Sequence, residues 1–320
     1  MRTVILDSFA ADQGDGTMWD GLRALGELVV HPRCADADVA ACCAGAGAAL
    51  TNKVPFSAAT FTALPGLRYV GVLATGTNVV DLAAARAAGV AVTNVPSYAA
   101  ASVAQHVFAL VLHFCQDVAG HAAAVRAGAW AASPDFCFFT RQLSELDGKT
   151  LVLVGSGAIG GAVARIGEAF GMRVVRAAVP GSPTRAGRVP LADALPHADV
   201  VSLHCPLTDA TRAMVDARFL GALKSGAILI NTARGGLVDE AALIDALASG
   251  HLGGAGLDVL ATEPPPAGHP LAEARAAWAD RLVVTPHIGW GAIEARRRLA
   301  AVATENLGAF IAGRRLNRVD

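Results

Sequence analysis

Short apolar runs alternate with polar, helix-forming stretches along the first hundred residues. Five of these runs have the length and composition of strands, at residues 4–6, 28–30, 48–51, 69–73 and 91–95. Helical stretches such as residues 81–88, which end before Gly89, separate them. Alternation of strands with helices is typical of βαβ units and of a parallel sheet. The pattern therefore predicts a first α/β domain.

The same alternation starts again after Asp147-Gly148. Six further runs are predicted to be strands, at residues 150–154, 174–177, 200–203, 228–231, 255–259 and 282–285. Six such strands with intervening helices match one doubly wound parallel sheet. Residues 102–115 are apolar enough for a long buried helix that links the two domains. Residues 294–311 predict an amphipathic helix that returns to pack on the first domain.

Composition excludes several classes of protein. Hydrophobic residues make up 53% of the 320 residues and charged residues 17%, but the longest apolar stretch, at 99–115, is interrupted by polar side chains and falls short of the roughly 20 residues that span a membrane. A net charge of −1 argues against a nucleic acid or an anionic membrane as partner. The N-terminus lacks the apolar stretch of a signal peptide. The six cysteines show no metal-binding spacing. We therefore expect a cytoplasmic protein with reduced thiols and no metal.

A glycine motif follows the first strand of the second domain. The strand at 151–154 leads into Gly155, Gly157 and Gly160 in a Gly-x-Gly-x-x-Gly pattern, and a helix at 161–170 follows. The first glycine permits a tight turn, the second lets the backbone approach a pyrophosphate, and the third lets the helix pack close to the strand. The helix N-terminus then offers N–H groups to the phosphates. This arrangement predicts a dinucleotide site.

The acidic residue that would bind the adenosine ribose is missing. The end of the second strand, at 174–180, contains no aspartate or glutamate, while Arg176, Arg185 and Arg188 are near in sequence. Without that acid nothing repels a 2′-phosphate. NADP is therefore favoured over NAD, although NAD remains open and the arginines also fit a solvated surface.

Four chemically active side chains lie at or near the ends of predicted strands in the second half. Arg234 precedes a glycine pair, and its planar fork suits holding a carboxylate and polarising the adjacent carbonyl. His287 follows a strand, and an unperturbed imidazole, which titrates near about pH 6.5, suits proton donation near neutrality. Glu263 is the candidate carboxylate that orients this imidazole. Asp258 is a candidate ligand of the nicotinamide carboxamide. Each also has a purely structural interpretation when taken alone.

Five sequence blocks together resemble a known family. The blocks at 155–160, 204–208, 231–240, 254–264 and 285–290 are similar to those of the D-isomer-specific 2-hydroxyacid dehydrogenases, and the resemblance extends over nearly the whole chain. The segments at 51–53, 71–81 and 135–138 are most similar to the glycerate dehydrogenase and hydroxypyruvate (glyoxylate) reductase types.

The resemblance implies two Rossmann-like domains with the active site in the cleft between them. The substrate-binding domain would comprise residues 1–98 and 292–320, and the dinucleotide-binding domain residues 99–291. Family members are usually homodimers, with a segment like 118–146 embracing the partner.

The resemblance also implies roles for individual residues. The implied catalytic residues are Arg234, Glu263 and His287. The implied cofactor-binding residues are Gly155, Gly157, Ala158, Ile159, Gly160, Cys205, Pro206, Thr232, Ala233 and Asp258. The implied substrate-binding residues are Lys53, Thr75, Gly76 and Trp290. The sequence departs from the family pattern at Ala178, where NAD-preferring members carry aspartate.

The implied reaction is reduction of a small 2-oxo acid, such as hydroxypyruvate or glyoxylate, to the D-2-hydroxy acid with NAD(P)H. Phosphoglycerate is an alternative substrate, disfavoured because no regulatory domain follows residue 320. A second alternative of another class is an NAD(H)-sensing, co-repressor-like scaffold with little turnover. No disordered tail or basic patch favours that role.

Overall fold

Eleven β-strands and twelve α-helices form in the residues that the computed structural model describes, 1–183 and 186–320. The chain groups into two compact units, Met1–Ala99 with Gly291–Asp320, and Ala100–Trp290. Each boundary lies one residue from the domain limits expected above: the chain passes from the first unit to the second after residue 99 rather than 98, and returns to the first after residue 290 rather than 291.

The first unit is built on a five-stranded sheet. Its strands are β1 (Thr3–Ile5), β2 (Leu28–Val30), β3 (Ala48–Thr51), β4 (Tyr69–Val72) and β5 (Ala91–Thr93). They pair in the order β2-β1-β3-β4-β5, and every pairing is parallel. The central strands are fully buried, as expected for apolar runs covered on both faces.

Five short helices and one long helix accompany this sheet. They are α1 (Phe9–Asp12), α2 (Asp20–Arg23), α3 (Val39–Cys42), α4 (Ala58–Ala63), α5 (Leu82–Ala87) and, at the C-terminal end of the chain, α12 (Ile293–Ile311). Helix α12 packs on β4 and α2, and the rings of Tyr69 and Phe310 lie 5.0 Å apart. The C-terminal helix thus completes the first unit, as its amphipathic pattern predicts.

The second unit is built on a six-stranded parallel sheet. Its strands are β6 (Thr150–Val154), β7 (Arg173–Ala177), β8 (Val200–Leu203), β9 (Ile228–Asn231), β10 (Gly254–Leu257) and β11 (Leu282–Val284). They pair in the order β11-β10-β9-β8-β6-β7. This is a doubly wound sheet, in which the strand order reverses beside β6 and ligands collect at the carboxyl ends. Two parallel, doubly wound sheets confirm the predicted fold class.

The helices of the second unit are α6 (Ala100–Gln116), α7 (Val118–Arg126), α8 (Ala158–Ala169), α9 (Leu191–Ala194), α10 (Ala217–Gly221) and α11 (Glu240–Ala248). Helix α6 packs on α8, and the Phe108 ring stacks on Phe170 with centroids 5.4 Å apart. Short 3₁₀ helices also occur in the two units, at Gly16–Trp19, Asp36–Asp38, Leu195–His197, Gly235–Leu237 and Ala279–Arg281.

Two expectations about helices need correction. Helix α8 begins at Ala158 rather than at residue 161, because Gly157 already occupies the N-cap position. The four-residue helices α1, α2 and α3 were not expected, since so short a segment carries no readable periodicity.

No single helix among the described residues is long and apolar enough to cross a membrane. Helices α6 and α7, which are bent by 55° at their junction, are long and apolar enough only when taken as a pair, and only by length and composition.

Candidate active site

The sheet order of the second unit brings the chemically active segments to one edge. Strands β11, β10 and β9 are neighbours, and their carboxyl ends lead into His287, Asp258 and Arg234 respectively. Because parallel strands end at the same edge, these segments lie side by side. Strands β8 and β6 continue the row with Cys205 and Gly155. One sheet edge therefore carries both the predicted catalytic residues and the predicted dinucleotide loop.

His287 and Glu263 form a direct pair. Nδ1 of His287 lies 2.6 Å from Oε2 of Glu263, and both side chains are about 70% buried, at 28% and 30% exposed. A carboxylate only accepts hydrogen bonds, so Nδ1 is the protonated nitrogen of the neutral ring and Nε2 faces away from the glutamate. The other carboxylate oxygen, Oε1, accepts a bond from the Leu260 amide at 3.1 Å. The imidazole is thus held in one tautomer and one orientation.

A buried carboxylate holds the loop that carries His287. Asp258, which is 2% exposed, accepts hydrogen bonds from the Thr285 hydroxyl at 2.6 Å and from the amides of Ile288 and Gly289 at 2.9 and 2.8 Å. His287 lies between these contacts with φ at +55°, a conformation uncommon for a residue with a side chain. The contacts of Asp258 stabilise that conformation.

His106 on α6, to which the sequence analysis assigned no role, belongs to the same cluster. Its Nε2 lies 2.9 Å from the Thr285 hydroxyl and 3.3 Å from Asp258. Burial by itself raises the pKa of Asp258, but the bonds from His106, Thr285 and the two amides outweigh it and lower that pKa. Asp258 is therefore ionised at neutral pH.

The segment that carries Arg234 is closed by the side chain of Asn231. Its amide nitrogen donates to the Arg234 carbonyl at 2.9 Å, and its oxygen accepts from the Ala233 amide at 3.0 Å. A side chain at Gly235 would overlap the backbone of Leu260, so this segment packs directly on the loop that leads to Glu263. The guanidinium of Arg234 donates to the Ala233 carbonyl at 2.6 Å. Close backbone packing thus joins the segments of two residues that are predicted to be catalytic.

Glu240 supports the Glu263 loop from α11. Its Oε1 accepts from the Ala261 amide at 3.0 Å, and its Oε2 lies 3.2 Å from Nε2 of His269. Neither Glu240 nor His269 was assigned a role from the sequence alone. Their contacts position the chain just ahead of Glu263.

The glycine loop borders a pocket of about 300 Å³. Gly155 has a φ of +102°, which favours glycine, and Gly160 in the first turn of α8 packs against its carbonyl. The N-cap residue of α8, Gly157, has no side chain to bond the first N–H groups, and no atom lies within 4 Å of where its Cβ would be. Ala158 and Ile159 form the first turn with Gly160. A free helix N-terminus of this kind suits a phosphate group.

Two ionisable groups of the pocket are kept neutral by burial. Burial lowers the pKa of His204 to about 4, and its Nε2 lies 2.9 Å from the Ser202 hydroxyl. Burial also raises the pKa of the Cys205 thiol to about 11. Cys205 and Pro206 line the pocket together with Ala178 at the end of β7. The wall formed by these residues carries no negative charge at neutral pH.

Of the three arginines that the sequence analysis noted, the two that the structure describes differ in position. Arg188 lines the pocket and donates a hydrogen bond to the Ser156 hydroxyl. Arg176 instead lies 3.6 Å from Glu168 of α8. Arg185 lies outside the described residues.

An unpaired polar atom lies farther along the same edge. The hydroxyl of Thr232, which follows β9 and precedes Ala233, is buried and lacks a hydrogen-bond partner among the described residues. A buried polar group without a partner is costly unless a ligand satisfies it. The bare helix N-terminus, the neutral pocket wall and this hydroxyl together fit a bound dinucleotide. Within residues 1–183 and 186–320, no three His, Cys, Asp or Glu side chains are grouped as a metal site.

The substrate residues expected in the first unit lie at the carboxyl edge of its sheet. Lys53 follows β3 and is exposed, and Thr75 and Gly76 follow β4. The Thr75 hydroxyl donates to the Val95 carbonyl at 3.0 Å. Trp290, the last residue of the second unit, is half-buried.

Comparison with known proteins gives consistent matches. The model of the D-isomer specific 2-hydroxyacid dehydrogenase NAD binding domain matches residues 108–289. The chain is 39% identical to a hydroxypyruvate reductase of Blautia hydrogenotrophica, over an alignment that covers all of both chains. It is 44% identical to a glycerate dehydrogenase of Methylorubrum extorquens, over 86% of each. A crystal structure of a protein from Thermus thermophilus superposes with a TM-score of 0.86 at 39% identity, over the full length of both chains.

The family match covers more than half of the chain, and the relatives are aligned over most or all of their length. The glycine loop and the paired histidine and glutamate lie within the matched residues. The chain therefore belongs to the D-isomer-specific 2-hydroxyacid dehydrogenases, a family of nicotinamide-dependent oxidoreductases.

Proposed function

We propose that the protein reduces a small 2-oxo acid, such as hydroxypyruvate or glyoxylate, to the D-2-hydroxy acid with NAD(P)H. The observation that carries this proposal is the 2.6 Å pair of His287 and Glu263, on the strand edge that also bears Arg234 and the glycine loop. A proton donor, a fixed cation and a dinucleotide loop on one edge are the groups that carbonyl reduction requires. The names of the relatives support the choice of substrate class.

A nicotinamide cofactor bound beside the glycine loop would supply the hydride that the carbonyl carbon of the substrate accepts. The guanidinium of Arg234 holds the substrate carboxylate and polarises the adjacent carbonyl. In its imidazolium form, His287 donates the Nε2 proton to the oxygen as negative charge develops there, and the ring is left neutral with its proton on Nδ1. Glu263 stabilises the imidazolium and keeps its orientation. The Thr75 and Gly76 amides also bind the substrate carboxylate.

Lys53 and Trp290 are proposed to meet the remainder of the substrate. An exposed ammonium at position 53 suits a hydroxyl or a second anionic group. The half-buried indole at 290 offers an apolar surface with one polar tip.

The function is tested by following oxidation of NADPH and of NADH, separately, with hydroxypyruvate, glyoxylate, pyruvate and phenylpyruvate. Turnover on hydroxypyruvate or glyoxylate is the expected result. Turnover on pyruvate or phenylpyruvate alone would retain the reaction and refute the substrate class. Tight cofactor binding without turnover on any of them would contradict the enzymatic proposal and favour a nucleotide-sensing scaffold.

NADPH is the proposed cofactor. The pocket beside the glycine loop contains Arg188, Ser156 and Ser182, while Ala178 stands at the end of β7 where an acid would repel a phosphate. A guanidinium recognises a phosphate through paired hydrogen bonds. These residues suit the 2′-phosphate of the adenosine ribose.

We expect the Arg188→Ala variant to bind NADPH about 10-fold more weakly or worse, because a charge-assisted bond to the phosphate is lost. Binding of NADH should stay within about twofold. Dissociation constants from quenching of intrinsic fluorescence measure both. Arg176→Ala is the matched control, since Arg176 pairs with Glu168 and is not among the pocket residues. Equal weakening toward both cofactors in Arg188→Ala would refute the assignment.

The protein is also proposed to be a homodimer that forms through the 118–146 segment. Four large apolar side chains of this segment are more than half exposed: Val118, Trp130, Phe136 and Phe139. Phe136 is 89% exposed, which is unusual for an isolated phenylalanine in water. Several exposed apolar residues in one segment suit a protein interface.

Light scattering coupled to size exclusion should therefore give twice the chain mass of 32.5 kDa. Serine at both Phe136 and Phe139 should shift the protein toward the monomer, because the apolar area buried on association is lost. Ile311→Ser, at an exposed apolar residue of the first unit, is the control and should leave the mass unchanged. A monomeric wild-type protein at micromolar concentration would contradict the proposal.

A further inference from the structure

A carboxylate outside the catalytic set holds the turn that carries Lys53. Asp7 lies just beyond β1, and its two oxygens accept hydrogen bonds from the amides of Asn52, Lys53 and Val54 at 2.8, 2.6 and 3.3 Å. The Thr51 hydroxyl closes the same turn by donating to the Val54 carbonyl at 2.8 Å. Three successive amides thus converge on one side chain.

The Lys53 turn is also linked to the next strand end. The side-chain amide of Asn52, which is 7% exposed, donates to the Leu73 carbonyl at 2.6 Å. Leu73 begins the loop that contains Thr75 and Gly76. Just beyond β5, the side-chain amide of Asn94 donates to the Thr75 carbonyl at 2.7 Å. Side chains therefore tie together three adjacent strand ends of this sheet, those of β3, β4 and β5.

Only a carboxylate satisfies the geometry around Asp7. It has acceptor positions on both oxygens and no donor, whereas an amide would turn an N–H toward one of the incoming N–H groups. Burial raises the pKa of Asp7, against three backbone hydrogen bonds that lower it.

We propose that Asp7 is a positioning residue of the substrate site: its carboxylate sets the placement of Lys53 and, through Asn52, of the Thr75 and Gly76 amides. This inference rests on the proposed function of those residues. The Asp7 side chain itself does not contact the substrate.

The first test is the Asp7→Asn variant, compared with the wild type by hydrogen–deuterium exchange and by steady-state kinetics. Exchange at the amides of residues 52–54 should become faster. The KM for hydroxypyruvate should rise about 10-fold or more, with kcat within about threefold and the NADPH dissociation constant unchanged. Loss of stability alone would lower the active fraction and leave KM unchanged.

Asp12→Asn is the matched control. Asp12 is a buried carboxylate of the same unit that accepts bonds from the Trp19 indole at 2.8 Å and the Gly14 amide at 3.0 Å. These bonds hold the segment around α1 rather than the strand ends at 52–54 and 73–76. Its replacement should lower the melting temperature without changing KM.

A double-mutant cycle tests the route through Lys53. In a Lys53→Met background, Asp7→Asn should raise KM clearly less than in the wild type, because the group that it positions is gone. If the Asp7→Asn variant folds poorly, Asn52→Ala provides a second test, and this variant should also raise KM.

The outcomes separate this inference from the proposed function. Unchanged exchange at 52–54, or faster exchange with an unchanged KM, overturns the positioning role while the function stands. A wild-type protein that turns over no 2-oxo acid overturns the function, and the positioning role with it.

Discussion

Turnover of the His287→Ala variant is expected to fall by about 10²- to 10⁴-fold, the usual contribution of a general acid. Alanine removes the only group that we assign to protonation of the substrate oxygen. Cofactor binding should stay within about twofold, since the glycine-loop pocket does not include His287. Single-turnover and steady-state rates with hydroxypyruvate, together with the NADPH dissociation constant, measure the two effects separately.

The backbone at position 287 requires a second variant. His287 has a φ of +55°, and asparagine occupies this region more readily than alanine. His287→Asn therefore preserves the loop held by Asp258 while it removes the acid. Both variants should be inactive to a similar degree. If His287→Asn alone kept near-normal turnover, the loss in His287→Ala would be conformational and the assignment would be wrong.

Glu263→Gln separates orientation from proton donation. Glutamine is nearly the same size and can keep its oxygen toward Nδ1, at the loss of the bond from the Leu260 amide, and it removes the charge opposite Nδ1. We expect a fall in kcat of about 10-fold or more, and a smaller one than in His287→Ala, because the proton donor remains. A larger loss in Glu263→Gln than in His287→Ala would reverse the assigned roles.

The fold could be predicted from the chain because buried parallel strands are continuous apolar runs. Segments such as Ile228–Asn231 and Thr150–Val154 were located to the residue, since valine and leucine runs ended by glycine or polar residues have few alternatives. The order of the strands in the sheet could not be predicted in this way. That β10 lies between β9 and β11 is a property of three-dimensional packing, and the residues of β10 do not encode it locally.

In the candidate site, too, local sequence predicts individual residues but not the contacts between distant ones. Arg234, Glu263 and His287 were predicted to be catalytic because each belongs to a distinctive block at or near a strand end. The supporting contacts were not, because they join residues far apart in the chain. His106 and Thr285 are 179 positions apart, and Asp7 and Asn52 are 45 apart. No local spacing reports such pairs, and only the general preference for polar groups at strand ends points toward them.

Arg234→Lys is expected to lower kcat/KM for the 2-oxo acid by about 10²- to 10³-fold, a loss typical when one donor to a developing oxyanion is removed. Lysine keeps the positive charge but offers one compact donor group instead of a planar fork. It therefore cannot bind a carboxylate in the same paired geometry or polarise the carbonyl from the same side. The value of kcat/KM is measured at limiting 2-oxo acid and saturating NADPH.

The local backbone should survive this change. Asn231 bonds to the carbonyl of residue 234 and not to its side chain, and Gly235 packs on Leu260 independently of it. The melting temperature and the NADPH dissociation constant should therefore match those of the wild type. Arg218→Lys, at an exposed arginine of α10, is the control for a lysine substitution in the same unit. A kcat/KM within about threefold of the wild type would show that Arg234 does not contact the substrate, and the carboxylate would then have to be bound by the Thr75 and Gly76 amides without it.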